Sequence, residues 1–150
     1  MLSNNWIGVE CSVDDQNSMN ALFKFEGIDF VNFYFDVVDA MLFSKGQIVS
    51  VPDRLQADEF EKLFEDDPYF PCLNLRVYPV CTDPQKIDTY DDYINSLCEM
   101  IVLVYDTAYV EIYTKNKNWL DTLIRNANKL QGVHLELKTA GTDGREAMYV

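Results

Sequence analysis

The sequence predicts an α+β fold in which an antiparallel sheet carries helices on one face. Two patterns predict it: segments that alternate between apolar and polar residues, as strands do, and intervening segments with apolar residues three and four positions apart, as in helices. The chain has 150 residues, of which 48% are hydrophobic and 13% aromatic. This is enough to build a buried core, and we expect a single domain over residues 1–150.

The first half of the chain predicts strands interrupted by two short helices. Residues 7–13 alternate as a strand with one buried face, and residues 19–25 have the apolar spacing of a helix. Residues 28–51 are too long and too apolar for one strand, so they predict two or three. Residues 58–64 predict a second helix, with acidic residues near its beginning, where the helix dipole favours them.

The second half predicts the order strand, helix, strand, strand, helix, strand. Residues 72–79 and 133–138 alternate as strands, and residues 99–105 and 108–114 form a hairpin that is connected only by Asp106 and Thr107. This βαββαβ order is that of a ferredoxin-like unit.

Two helices complete the second half. Thr89 with Asp92 three residues later indicates a capping box at the start of a short helix. Residues 117–130 carry a helical apolar stripe, and residues 147–150 predict a last short strand.

Acidic residues dominate the first part of the chain. Residues 1–93 hold 18 of the 25 acids and 6 of the 12 bases, a net charge of −12, whereas residues 94–150 carry −1. Such a surface repels phosphate and anionic lipid, so we expect neither nucleic acid nor membrane as a partner. The chain also begins without a signal-peptide pattern and has no membrane-length apolar run, so we expect a cytoplasmic protein.

The sequence predicts no metal site and no cofactor. The acidic residues lack the spacing of an EF-hand, and the four cysteines lack the close pairs that zinc sites use. We expect three of these thiols to be structural, with Cys81 exposed beside a polar turn; the four are Cys11, Cys72, Cys81 and Cys98.

Catalytic motifs are also absent from the sequence. There is no G-x-S-x-G segment and no glycine-rich phosphate loop. The one acid–base couple that the pattern offers is Glu111 with His134, the only histidine. We therefore assign no catalytic residue, and the sequence favours a protein that is not an enzyme.

Residues 90–113 read YDDYINSLCEMIVLVYDTAYVEIY, and the tail contains Asp143-Gly144-Arg145. This stretch resembles DUF2691, a family of uncharacterised bacterial proteins, and the likeness is clearest over residues 70–150. The resemblance implies a bacterial, cytoplasmic, single-domain protein and no catalytic role. It is carried by Tyr90, Tyr93, Asn95-Ser96, Cys98-Glu99, Asp106, residues 109–113 and residues 143–145.

Strand alternation predicts one candidate ligand-binding surface. If helices cover the side of the sheet that bears Leu73, Val110 and Leu135, the other side carries seven polar and aromatic residues. They could bind a small polar or aromatic ligand, but cross-strand pairs of these types more often only stabilise a sheet. We call this set the tyrosine face: Arg76, Tyr78, Tyr109, Glu111, Tyr113, His134 and Glu136.

These observations favour a non-enzymatic interaction protein, such as an immunity-type protein or an inhibitor of a basic protein partner. The alternative is a small-ligand binder or weak enzyme that uses the tyrosine face. A homodimer formed through exposed strand edges is a third reading, and the sequence leaves the oligomeric state open.

Overall fold

A computed structural model describes residues 6–139 and 147–148. Within these residues, eight strands form one antiparallel sheet and four helices pack against it, which confirms the predicted α+β class. The elements are β1 (Trp6–Val13), α1 (Gln16–Leu22), β2 (Phe33–Ser44), β3 (Gln47–Val49), β4 (Arg54–Leu55), α2 (Ala57–Lys62), β5 (Tyr69–Pro79), α3 (Tyr90–Ile94), β6 (Met100–Tyr105), β7 (Tyr109–Thr114), α4 (Lys117–Lys129) and β8 (Val133–Thr139).

The strands lie in the order β3-β2-β5-β6-β7-β1-β8, with β4 paired to β2. The predicted order of elements in the second half is confirmed, but its strands are not paired as in a ferredoxin-like unit. Strands β5, β6 and β7 form a simple meander, and β1 separates β7 from β8. Helix α3 has only five residues, and β6 returns antiparallel beside β5 instead of crossing over.

The N-terminal strands enlarge the sheet and leave its faces to other elements: β2 and β3 extend one end, and β1 lies between β7 and β8. Residues 28–51 supply β2 and β3, as predicted, while the two-residue strand β4 is too short to leave a pattern in the sequence. Helix α1 begins three residues earlier than predicted because Asp15 caps it, with a carboxylate oxygen that accepts from Ser18 N at 2.8 Å. Of the predicted last strand, Ala147 forms a bridge with Thr89; residues 149–150, like residues 143–145, lie outside the described residues.

Helices α1, α2 and α4 cover one face of the sheet, which we call the helical face. Their apolar side chains, among them Leu22, Phe60 and Leu123, join the buried residues of β5, β6 and β7 in the larger core cluster. Helix α3 lies on the opposite face, where Tyr93 belongs to a second, smaller cluster. Burial on both faces explains why residues 100–104 of β6 are apolar without alternation.

Local sequence explains the hairpin between β6 and β7. Asp106 and Thr107 both adopt positive φ, +51° and +67°, and help to reverse the chain. The connection has three residues, 106–108, one more than the sequence predicted, so β7 begins at Tyr109, which lies opposite Tyr105. The two rings stack with their centroids 5.4 Å apart.

Glycine is required where β1 lies between β7 and β8. A Cβ atom on Gly8 would collide with the carbonyl oxygen of Ile112. We expect Gly8→Ala to destabilise the protein by about 1–3 kcal/mol in urea denaturation, because the paired backbones would have to move apart. Ser12→Ala in the same strand is the control and should change stability by less than about 0.5 kcal/mol; equal stability of both variants would contradict this role of Gly8.

Candidate functional site

The register of the sheet places all seven residues of the tyrosine face on the side opposite the helical face. Arg76 lies opposite Ile101, and Tyr113 lies opposite both Ile101 and Gly8. Most of this set is not accessible, however. Arg76, Tyr78, Glu111 and Tyr113 are buried, and only Tyr109, His134 and Glu136 are exposed.

Residues 80–98, which we call the covering segment, bury one end of the tyrosine face. Arg76 Nη2 donates to the carbonyl oxygen of Ile87 at 2.7 Å. Tyr78 Oη donates to the carbonyl oxygen of Gln85 and accepts from its N–H, at 3.2 and 3.1 Å. Ile87 and Tyr93 of the segment are each only 1% exposed. Arg76 and Tyr78 therefore bind the protein's own backbone.

Burial also shapes the charges around Arg76. In the sheet it lies opposite Asp36 of β2. Burial raises the pKa of Asp36, and the positive charges of Arg76 and Arg54 partly counter that rise. Arg76 Nε has no hydrogen-bond partner in the described part of the chain. The guanidinium is thus held within the sheet, where it favours the ionised form of Asp36.

Glu111 belongs to a buried ion-pair network that crosses three strands. Lys138 Nζ lies 2.9 Å from Glu111 Oε1 and 3.5 Å from Glu10 Oε2. Tyr105 Oη donates to Glu10 Oε1 at 3.3 Å. The Lys138 side chain is 9% exposed and that of Glu111 is 4% exposed. Alternation in β1 and β8 already placed Glu10 and Lys138 on this face, so their positions could have been found from the sequence.

The structure does not bring Glu111 and His134 together as an acid–base couple. Glu111 of β7 lies opposite Glu10 of β1. His134 of β8, on the other side of β1, lies opposite Ser12, which is one row further along the face. His134 Nε2 instead lies 2.9 Å from Asp14 Oδ1, and both side chains are exposed. The sequence pattern identified the common face correctly, but only the register showed that β1 lies between the two residues.

The accessible end of the opposite face is an aromatic and apolar stripe. Met41, Cys72, Tyr105 and Tyr109 occupy neighbouring positions across four strands. Met41 and Tyr109 are 42% and 41% exposed. Any ligand of the tyrosine face would have to bind at this end, beyond the covering segment.

The thiols differ sharply in their environments. Cys11 and Cys98 are buried, and desolvation raises the pKa of each from 9.0 to about 12. Cys81 is exposed, as predicted, and Cys72 is half-buried.

In residues 6–139 and 147–148, no group of three His, Cys, Asp or Glu residues is arranged to hold a metal ion. Among the same residues, no helix has the length and hydropathy to span a bilayer.

Comparison with known proteins identifies relatives without an assigned function. The family described as "Protein of unknown function (DUF2691)" matches residues 7–149. A curated relative, "Uncharacterized protein YncE" of Bacillus subtilis (strain 168), is 29% identical over 92 residues, which cover 61% of this chain and 60% of that protein. The chain thus aligns with less than two thirds of that relative's length. No solved structure matches the chain.

We expect selective thiol labelling in the native protein. At pH 8, iodoacetamide should modify Cys81 rapidly and leave Cys11 and Cys98 unmodified until the protein unfolds, because both remain buried thiols. Peptide mass spectrometry would identify each site, with Cys81→Ser as the control that removes the fast reaction. Modification of Cys98 as rapid as that of Cys81 would contradict its buried position.

The same two thiols should make the protein sensitive to alkali. Their folded pKa values exceed the unfolded ones, so between pH 9 and about pH 12 the folded state binds more protons. Stability should therefore fall as the pH rises through this window. Urea midpoints measured across this pH range should fall less steeply with pH in Cys98→Ala than in the wild type, because the variant lacks one of the two thiols. Equal pH dependence of the two proteins would contradict the prediction.

Removal of the Lys138 ammonium should be costly. We expect Lys138→Met to destabilise the protein by about 3 kcal/mol or more, because Glu111 would stay buried beside Glu10 without this counter-charge. The double variant Lys138→Met/Glu111→Gln should recover much of the loss in urea denaturation. Lys86→Met, which breaks an exposed pair, is the control and should cost less than about 1 kcal/mol.

Proposed function

The chain belongs to the DUF2691 family of proteins of unknown function, and from its own surface we propose that it is a cytoplasmic, single-domain interaction protein that binds a basic protein partner. The observation that carries the proposal is the excess of exposed carboxylates. Of the 18 acidic residues in residues 6–93, 16 are exposed. A surface of this kind speeds encounter with a positively charged partner and disfavours negatively charged ones.

Few basic residues in this part of the chain can neutralise that surface. Arg76 is buried beneath the covering segment. Arg54 stacks over the ring of Tyr34, with its guanidinium carbon 4.1 Å from the ring centroid. Exposed ion pairs involve only single carboxylates, as in Lys45 with Asp66. The acidic field is therefore left for an external partner.

Two groups of exposed acidic residues are dense along the chain. One lies on α2 and just after it and includes Asp58, Glu61 and Glu65, and the other lies on the covering segment and includes Asp83 and Asp91. The two groups belong to different elements, so a basic partner has two regions at which electrostatic attraction would be strong.

A non-enzymatic role is consistent with the rest of the geometry. Glu111 is engaged with Lys138, and His134 with Asp14. The alternative function, a small-ligand binder on the tyrosine face, now depends on Tyr109, His134 and Glu136, since the other members of that face are buried.

The proposal predicts an association that salt weakens strongly. We would capture partners by photo-cross-linking in cells that express the protein, identify them by mass spectrometry, and measure the Kd of each purified partner. Between about 0.1 M and 1 M salt the screening length falls from about 10 Å to about 3 Å, and the Kd should rise at least about tenfold. A partner that is acidic, or whose Kd does not change with salt, would contradict the proposal.

A further inference from the structure

A groove with a phenylalanine floor and an acidic rim lies between α2 and the chain that leads from α1 into β2. It consists of two adjoining hollows of about 390 and 660 Å³, and Phe23, Lys24, Asp58 and Glu61 line both. We call it the Phe groove. Its floor is formed by Phe23, Phe25, Phe30, Phe35, Phe60 and Phe64.

The rings of the floor pack against one another and fix its shape. Phe60 of α2 is the central contact, with its ring centroid 5.1 Å from that of Phe35 and 6.1 Å from that of Phe25. Phe25 and Phe60 are 3% and 2% exposed. The floor is thus part of the core, and the groove does not need to form when a partner arrives.

The wall of the groove opposite α2 is also held in place. Asn126 of α4 donates from Nδ2 to the carbonyl oxygen of Glu26 at 2.7 Å. Asp29 Oδ1 accepts from Val31 N at 2.9 Å. Phe25 has a φ of +47°, a left-handed conformation that is rare for a bulky residue and is retained only where the surroundings enforce it. A wall fixed in this way lowers the entropic cost of binding.

The rim combines negative charge with an exposed apolar residue. Five carboxylates and two lysines line the two hollows, a net charge of −3: Glu26, Asp29, Asp58, Glu61, Glu65, Lys24 and Lys62. Val31, at the edge of the smaller hollow, is 72% exposed. An apolar hollow with charged edges suits a side chain that has an apolar stem and a cationic end.

We propose that the Phe groove is the docking site of the basic partner, and that it receives a lysine or arginine side chain together with an apolar neighbour. The methylene stem would pack against the half-buried Phe64 and the accessible edges of the buried rings. The cationic end would meet Asp29, Asp58 and Glu61. This inference rests on the proposed function and assigns that function to one place on the surface. A second copy of the chain is disfavoured as the occupant because two chains that each carry a net charge of −13 repel each other.

In the other acidic group, on the covering segment, two of the carboxylates are engaged within the segment itself. Asp92 Oδ2 accepts from the backbone N–H groups of Asp88 and Thr89, which lowers the pKa of Asp92. Asp88 also lies 3.5 Å from Lys86 Nζ. Asp92 and Asp88 thus support the local turn and the start of α3, and no residue of the covering segment lines the Phe groove, so Asp83 and Asp91 serve as the comparison.

The test uses a synthetic amphipathic peptide of Lys and Leu as the probe, with fluorescence anisotropy on the full chain at low salt. Asp58→Asn/Glu61→Gln should raise the Kd at least about tenfold. Asp83→Asn/Asp91→Asn should raise it less than about twofold. Both pairs remove two negative charges, and Asp58 and Asp91 occupy the same second position of a short helix. Circular dichroism would verify that each variant is folded.

Two further variants test the groove without depending on loss of folding. Lys24→Gln removes a cation from the wall of both hollows and should tighten binding about threefold, a gain that a misfolded protein would not show. Lys86→Gln, outside the groove, should change the Kd less. Val31→Ser should weaken binding of the Lys/Leu peptide, whereas the variant protein should remain folded because Val31 is exposed.

The outcomes separate this inference from the proposed function. If both double variants weaken binding equally, the groove is not the site, and the charge-driven association stands. If a Lys/Ser peptide binds as tightly as the Lys/Leu peptide, the apolar floor makes no contribution and the groove proposal fails. If neither basic peptide binds, or a Glu/Leu peptide binds equally well, the proposed function fails as well. Concentration-dependent sedimentation of the unliganded chain that Val31→Ser abolishes would identify a second copy as the occupant and overturn the proposal.

Discussion

Burial of the central strands on both faces is the constraint on which the rest of the structure depends. Residues 100–104 of β6 have no exposed side chain, so each face of the sheet at this point needs a cover. The helices supply one cover, and the covering segment supplies the other. Because the second cover has little regular structure, hydrogen bonds from side chains of the sheet hold it in place. Arg76 donates to the carbonyl oxygen of Ile87, and Tyr78 donates to that of Gln85.

This arrangement changes the meaning of the polar residues on the tyrosine face. A tyrosine, an arginine and a carboxylate on one sheet face resemble a ligand site as long as their burial is not known. Here Arg76 stabilises a carbonyl oxygen that would otherwise be buried without a donor, and Lys138 compensates the buried charge of Glu111. These groups satisfy polar atoms within the fold, and only the far end, near Tyr109 and His134, faces solvent.

Charge and apolar surface coincide instead at the Phe groove. An acidic surface alone would bind any cation weakly, since exposed carboxylates are well solvated. A fixed apolar floor adds a contact that only a partner of suitable shape can use. Strain at Phe25 and the bond from Asn126 to the Glu26 carbonyl indicate that the wall is held by the fold before any partner binds.

The sequence by itself determined the four helices, the longer strands and the faces of those strands, because these depend on local periodicity and turn chemistry. The hairpin at Asp106 and Thr107, the capping box at Thr89 and the common side of the seven tyrosine-face residues all follow from neighbours in the chain. Tertiary structure alone decided how the strands pair beyond that hairpin and what covers each face. No local pattern specifies that β1 enters between β7 and β8, where Gly8 permits close backbone contact. The burial of Arg76 and the assembly of six phenylalanines into one groove likewise depend on contacts between residues far apart in the chain.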